Sequence, residues 1–545
     1  MQMISLGSAR ASRADRGASA PVGARDCSLN GGDSTRPTRT ARAGREAARP
    51  TSSSIVRPQH ARRALPNATE ALRLSRVGML WGLLMSGLVS CRLFAAEFRA
   101  GAATANITPP LGIEINGGTG PGIATHVHDE LLARALVLDD GTTRLALVVV
   151  DNCLIDRAVL DEAKALIHRH TGIGSNHVSI SATHTHSAGS VTGVHLTEPD
   201  APYRAWLPGR LSDAVRRAVN QLSPAELAWG SGAVPQHVFN RRVTVKPGVT
   251  YTNLLGHTGD RAKMNWSSPE PAVDGEFSGP VDPEVFVLSV RHLDGRPLAL
   301  LANYSLHYVG GVGAGHLSAD YFGVFCVRLT ELMGAVEQDP PFVPLMSNGT
   351  SADINNIDYR RARTPQPPYE QIRRVADDVA AEVQRVLKPL PYRRDVTLAA
   401  VSTELAVGVR RPSPDEIERA RGIVHGRDRR ELRTWPEFYA REQLLLAGYP
   451  DSLSLPLQIF RIGEVRVVQW PGEIFAITGL DLKARGSGKP LFNISLANGW
   501  FGYIPPPQQH ALGSYETWRG RTSPLETNAI PRITEAFEEL LKGLN

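Results

Sequence analysis

The sequence predicts an α/β fold, a mixed β-sheet core flanked by helices within a single large domain. Three observations carry that expectation. Residues 145–150 (LALVVV) and 285–290 (VFVLSV) are short continuous apolar runs, the pattern of strands covered on both faces. Residues 154–167 and 372–387 repeat instead at helical spacing, the second placing Ile372, Val375, Val379, Val383 and Val386 on one stripe. The two kinds of segment alternate from Glu97 onward with no linker or low-complexity break, which suits layered sheet and helices.

The remaining elements follow in order. Residues 412–450 form a charged, helical insertion beginning SPDEIERARG. After it, residues 457–470 read as a hairpin with Ile462-Gly463-Glu464-Val465 at the turn. The chain ends in an amphipathic helix around residues 533–541, and no internal repeat is present.

Composition supports a sizeable core, with 42% apolar and 21% charged residues among 545. Basic character is local. Residues 1–76 hold 14 Arg against 5 Asp or Glu, an excess larger than the whole chain's net +6, so the remainder is mildly acidic. That balance gives no reason to expect a nucleic-acid partner. Of the four cysteines, Cys27 and Cys91 precede the folding part, while Cys153 and Cys326 sit in apolar runs and read as small buried hydrophobes. A single disulfide between the latter two is the alternative, and no disulfide framework is implied.

Residues 1–75 are rich in Arg, Ser, Ala, Gly and Pro and lack a sustained apolar period, so they are expected to be disordered or a mis-called N-terminal extension. Residues 76–96 read as a signal peptide: Arg73 and Arg76 precede an apolar run over 77–90 that is short for a membrane span. Cleavage near Ala95-Ala96 would release a soluble protein. Leu88-Val89-Ser90-Cys91 instead has the form of a lipobox, which would leave Cys91 lipidated. The Ala-Ala pair directly precedes the first folded-looking residues and favours simple export. The expected location is periplasmic, secreted or lipid-anchored at the cell envelope, with the mature domain over residues 97–545.

The strongest chemical signal is Ser179-Ile-Ser-Ala-Thr-His184-Thr-His186, a β-branched strand running into a His-x-His loop. In extended chain, residues two apart face the same side, so both imidazoles can serve one site, as metal ligands or with one in support. Ordinary polar roles compete with that reading. His126-Val-His128 is a rival pair, read as the polar start of a strand, and His168 and His170 read as the solvated end of a helix, where cations complement the dipole. His307 follows a second apolar strand and is succeeded by a Gly-rich turn and Ser318-Ala-Asp320. A dense polar loop comes next, Met346-Ser-Asn-Gly-Thr-Ser-Ala-Asp353-Ile-Asn355-Asn356, suited either to oxyanion contacts or to a tight turn. Glu473 then ends a hairpin strand in Gln469-Trp-Pro-Gly-Glu473, and Asn498-Gly-Trp-Phe-Gly-Tyr503 and Tyr515-Glu516 follow.

In that order the pieces resemble the neutral/alkaline (non-lysosomal) ceramidases over about residues 98–545. The matching segments are Gly101-Ala-Ala-Thr-Ala-Asn-Ile-Thr-Pro-Pro, Ser181-Ala-Thr-His-Thr-His-Ser, Asn240-Arg241, Leu306-His307, Pro471-Gly-Glu473, and Tyr503 with Tyr515. The resemblance covers the family's catalytic domain. The chain stops soon after Tyr515, so the immunoglobulin-like C-terminal domain of well-studied ceramidases is expected to be missing. The resemblance implies Zn²⁺ held by His184, His307, Glu473 and Tyr503, an N/O donor set that leaves room for water. His186 would support that water, and Arg241 and Tyr515 would steady a developing oxyanion. The implied activity is hydrolysis of an amide (N-acyl) bond by zinc-activated water. One departure matters. The family carries Gly-Asp-Val-Ser-Pro-Asn with a serine implicated in catalysis, whereas this chain reads Ala352-Asp353-Ile354-Asn355-Asn356-Ile357. Asn355 cannot act as a serine-like nucleophile, although its amide can donate to an oxyanion.

Two other readings compete with this one. A non-catalytic relative binding a lipid or glycan at the cell surface would account for Asn355. A His-x-His barrel metallohydrolase would leave Pro471-Gly-Glu473 and the late tyrosines unexplained. The expected partner is a small-molecule amide or lipid substrate; a membrane surface presenting it, and the oligomeric state, are left open by the sequence.

Overall fold

Twelve strands and nine helices place the candidate residues, in a computed structural model that describes residues 97–265, 272–361, 364–486 and 488–544. The expected N-terminal extension, signal peptide and both processing sites lie outside the described residues. Among the described residues no helix is long and apolar enough to cross a membrane.

The main sheet has eight strands: β1 (Arg99–Asn106), β2 (Leu132–Asp139), β3 (Arg144–Val150), β4 (Val178–Ala182), β5 (Ser223–Ala233), β6 (Glu284–His292), β7 (Pro297–Tyr304) and β8 (Val343–Asn348). Their spatial order is β8-β7-β6-β5-β1-β2-β3-β4. Pairing is antiparallel through the middle and parallel at both edges, β3 with β4 and β7 with β8. The mixed sheet expected from sequence is therefore present. A second sheet runs β9 (Leu398–Gly408), β10 (Ser452–Ile462), β11 (Val465–Gln469), β12 (Leu491–Ile494) in that order. Its β10–β11 hairpin turns at Gly463, whose φ of 58° suits a residue without a Cβ.

The helices are α1 (Arg157–Thr171), α2 (Ala201–Asn220), α3 (Asp320–Leu332), α4 (Glu370–Leu387), α5 (Pro414–Val424), α6 (Trp435–Ala447), α7 (Ala476–Arg485), α8 (Pro507–Leu512) and α9 (Ala529–Lys542). Four layers result. Leu160 and Ala163 of α1 and Leu207 and Leu211 of α2 cover one half of the main sheet at Ala103 and Val148. Phe325 of α3 and Val379 and Val383 of α4 cover the other half at Val287 and Leu300. The opposite face, with Leu136, Leu147 and Leu288, packs on Phe460, Val467 and Phe492 of the second sheet. Ile533 and Phe537 of α9 close the stack against Leu457, Ile459 and Trp470. Each of these large apolar side chains contributes about 1.5–3 kcal/mol by leaving water. Burial on both faces explains why the strands read as unbroken apolar runs rather than alternating ones.

Local signals set the boundaries. The apolar period begins at 154, but α1 starts at Arg157 because Asp156 takes the N-cap and accepts from Val159 N. It ends at Gly172, φ 76°, with His168 and His170 in its last turn, as the dipole argument expects. The charged insertion folds as α5 and α6, each opened by a capping box, Ser413 with Glu416 and Thr434 with Glu437. Cys153 and Cys326 are buried free thiols, as read from sequence, and the alternative disulfide is not formed.

The sheet curls enough for its two edges to meet. Asn348 at the end of β8 donates through Nδ2 to the Thr183 carbonyl just past β4 (3.1 Å). The loops after β4, β7 and β8 are thereby gathered at one place.

Candidate metal centre

Three chain ends deliver the central residues. His184 follows β4, His307 follows β7, and Glu473 follows β11 in a two-residue strand, Glu473–Ile474, that pairs in parallel with Tyr503–Ile504. All three side chains are buried, and one ligand atom from each lies within 4.8 Å of the others. His184 has φ 75°, in the left-handed region that costs a non-glycine residue about 1–3 kcal/mol. The extended geometry assumed for His-x-His therefore does not hold, and the kink turns both imidazoles inward instead.

The tautomers follow from the backbone. His184 Nδ1 lies 2.9 Å from the Cys153 carbonyl and His307 Nδ1 lies 2.9 Å from the Ser351 carbonyl. A carbonyl only accepts, so each Nδ1 carries its proton and each Nε2 presents a lone pair. Those two Nε2 atoms are 3.0 Å apart, and Glu473 Oε2 is 3.4 Å from one and 3.9 Å from the other. Oε2 is buried without a hydrogen-bond partner, while Oε1 accepts from Trp500 Nε1 (3.0 Å). Two lone pairs and an unpartnered carboxylate oxygen converging in a buried space need a positive charge among them. A proton supplies one: burial alone would lower the His184 imidazole, but the Glu473 carboxylate overrides this and pushes it up to about 10. A divalent ion supplies another, and the donor set of two imidazoles and a carboxylate fits Zn²⁺. His184, His307 and Glu473 are thus a group that can bind a metal.

His186 stacks on Tyr308 (centroids 3.6 Å apart, 15°) and brings its Nε2 to 3.2 Å from His184 Nε2. Gly117, φ 106°, backs the ring so closely that a Cβ there would meet it at 2.4 Å. Tyr503 joins from the second sheet's side. Its hydroxyl accepts from Arg241 Nη2 (3.2 Å), and burial, then Glu473, holds the phenol well above its ordinary range. Arg241 is fixed in turn by Glu516, whose other oxygen takes Arg242 Nη1. Tyr515 packs edge-on against Tyr503 (5.6 Å), and its hydroxyl meets His195 Nε2 (3.0 Å).

The polar loop after β8 serves both the centre, through the Ser351 carbonyl on His307, and the frame around it. Asp353 accepts from Asn240 Nδ2 (2.7 Å) and Ala476 N (2.9 Å), and burial pushes its carboxyl up to about 6. Asn355 donates to the Tyr359 hydroxyl (3.3 Å) and accepts from Asn356 Nδ2 (3.3 Å).

Comparison with known proteins agrees with this fold. The chain is 23% identical over 461 residues to the neutral ceramidase of Pseudomonas aeruginosa, a match covering 72% of this chain and 64% of that protein. This chain is a distant homologue of neutral ceramidase. It spans less than two thirds of that relative's length. The same fold is found in a ceramidase complexed with C2 (TM-score 0.62, 16% identity, 82% of this chain and 75% of that one). It is found again in the crystal structure of the Pseudomonas aeruginosa neutral ceramidase (TM-score 0.61, 16% identity, 82% and 74%). No protein-family model matches the chain.

Beside the residues picked out by the ceramidase resemblance, the structure adds three that sequence reasoning missed. His195, buried with φ 51°, lies in no motif and becomes visible only through Tyr515. Cys153 sits with its Sγ 3.8 Å from His184 Nδ1, where its sequence context showed only an apolar run. Trp500 stood inside the Asn498–Tyr503 segment, whose aromatic density was the available signal.

Proposed function

We propose that this protein is an exported zinc-dependent hydrolase of the neutral ceramidase type, cleaving an amide (N-acyl) bond by activated water. The observation that carries the proposal is the convergence of His184 Nε2, His307 Nε2 and the unpartnered Glu473 Oε2. His184, His307, Glu473 and Tyr503 would hold the ion. Bound there, Zn²⁺ supplies Lewis acidity and brings a water's pKa toward neutrality. His186, stacked on Tyr308 beside His184, would take a proton from that water or orient it. Arg241, bonded to the Tyr503 hydroxyl, and Tyr515, packed on the Tyr503 ring, would donate to the oxyanion of an attacked carbonyl.

Substrate class is supported from two sides. One structural relative is a ceramidase complexed with C2. In this chain, Trp518, which packs on Tyr515 (6.1 Å) and Tyr439 (5.6 Å), lines a groove of about 390 Å³ between α5 and α6, with Ala420, Ile423 and Pro436 beside Glu416, Arg419 and Arg519. The aromatic and aliphatic side of that groove would suit the chain of an N-acyl lipid, and its charged side the polar head. A second reading, a non-catalytic relative that binds a lipid or glycan, is favoured by Asn355 in the serine's place.

The test uses the purified full chain, wild type and His307→Ala, with bound metal measured by elemental analysis and hydrolysis followed on a panel of N-acyl amides and esters. Zinc at the centre, lost with turnover in the variant, is the expected result. Zinc without turnover on any substrate would favour the binding relative. A wild type whose zinc content is unchanged by His307→Ala would overturn the ligand assignment.

A further inference from the structure

A second group of imidazoles meets at the surface, built from residues the centre above does not use. His126–Val127 pairs in parallel with His316–Leu317, and the register sets His126 opposite His316. His128 follows two residues on, its backbone N–H bonded to the Leu317 carbonyl (3.0 Å). One ring nitrogen from each of His126, His128 and His316 lies within 4.8 Å of the others. The His126 and His316 rings are 4.4 Å apart, and those of His128 and His316 are 6.1 Å apart. His126 and His128 are exposed and His316 half-buried, so a hydrated ion can reach all three.

A solvated polar strand start, the reading the sequence alone suggested for His126 and His128, does not account for the shaping around them. Thr125 N and His126 N both donate to the Gly315 carbonyl (2.8 and 3.3 Å), which fixes the two segments against each other. Gly313 lies so close behind the His316 ring that a Cβ there would meet it at 2.5–2.7 Å. Tyr369 stacks on His128 (3.7 Å, 13°) and sets its hydroxyl 2.5 Å from His316 Nδ1, where it also accepts from Gly313 N (3.3 Å). A phenol hydroxyl bonded to Nδ1 orients the His316 ring, the kind of outer-sphere support found at metal-bound histidine. The rings are thus held by neighbours that keep one nitrogen of each within 4.8 Å of the others.

We propose that His126, His128 and His316 bind a second divalent transition-metal ion of the class that prefers imidazole, with Zn²⁺ as the probe. Three imidazole nitrogen donors with open positions suit Zn²⁺, Cu²⁺ or Ni²⁺ and do not suit Mg²⁺ or Ca²⁺, which take oxygen. Bound there, the ion would clip the segment before β2 to the loop joining β7 to α3, the loop that carries His307. The proposal stands on its own residues and does not depend on turnover at the first centre.

The experiment is a zinc titration of the full chain, prepared without a polyhistidine tag and stripped of metal. Calorimetry is combined with elemental analysis after desalting. Wild type is expected to take up two equivalents, His126→Ala/His128→Ala one, and His316→Ala one. His307→Ala is expected to lose the other equivalent and keep this one, which separates the two centres. Mg²⁺ is expected to give no uptake at the surface group. Any wild-type uptake that His126→Ala/His128→Ala and His316→Ala retain in full, whether one equivalent or two, would overturn the proposal, whereas a single equivalent lost in those variants and kept in His307→Ala would count only against the first centre. The first two substitutions are at exposed positions, so an unchanged circular dichroism spectrum confirms that loss of the ion is not loss of the fold.

Discussion

Replacing Glu516 by Gln tests the charge frame behind the centre. Glu516 is fully buried, with Oε1 accepting from Arg241 Nε at 2.9 Å and Oε2 from Arg242 Nη1 at 2.6 Å. Side-chain exposure is 5% for Arg241 and 0% for Arg242, so one carboxylate compensates two guanidiniums that water does not reach. Unit charges about 4 Å apart attract by roughly 4 kcal/mol at an effective dielectric constant of about 20. Removing one member of such a buried set leaves charge unpaired and costs about 3–5 kcal/mol. Arg242 would keep Gln509 Oε1 and the Gln509 and Gly513 carbonyls, whereas Arg241 would keep only the Tyr503 hydroxyl. Glu516→Gln is therefore expected to lower stability by about 3–5 kcal/mol in urea unfolding. In a cycle with Arg242→Met, the pair should be coupled by about 1–3 kcal/mol. A cost below about 1 kcal/mol, or strictly additive effects, would refute the claim that this carboxylate compensates both guanidiniums.

Three further outcomes follow from other parts of the structure. Burial pulls the Lys164 ammonium on α1 down to about 8, with Asp161 and Glu404 opposing. The folded chain then holds that proton less tightly than the unfolded chain. Stability should rise by about 2 kcal/mol between about pH 7 and pH 9.5, with the full contribution present only above the ordinary lysine value. Lys164→Met should remove that rise in denaturant midpoints measured across the range, and an unchanged slope would count against it. Trp500→Phe removes the donor to Glu473 Oε1 and should weaken zinc about 10–100-fold in competition with a chelator, with the fold intact; unaltered affinity would show that this bond does not orient the carboxylate. At Gly101 a Cβ would fall 2.2 Å from the Ala218 carbonyl oxygen and 2.9 Å from the Gln221 carbonyl carbon, both backbone. Gly101→Ala should therefore cost about 1–3 kcal/mol, read as a lowered melting temperature, and a neutral result would show that α2 can move off β1.

What the sequence discloses depends on how locally each feature is encoded. The runs at 145–150 and 285–290, the stripe at 372–387 and the hairpin at 457–470 report burial within a few residues of themselves, and each lies in an element of the expected kind. Strand order is encoded elsewhere. Nothing near Val343 or Val178 says that β8 and β4 are opposite edges of one sheet, or that Asn348 will reach Thr183. That closure depends on the second sheet pressing on Leu136 and Leu288 from one side and on two helix pairs from the other. The centre divides the same way. His-x-His alone left polar roles open, and His184, His307, Glu473 and Tyr503 could be joined only through their likeness to a family. The physical reason they belong together is a pair of backbone carbonyls, from Cys153 and Ser351, that fix the imidazole protons on the far side of each ring. A carbonyl has no residue type, so no sequence pattern can carry that information. The same holds at His126 and His128, which read as a polar strand start until the parallel register with His316 supplies the third nitrogen and Tyr369 the brace. Residue identity at each of these places marks what can donate; backbone geometry decides which lone pairs meet, and metal chemistry begins only there.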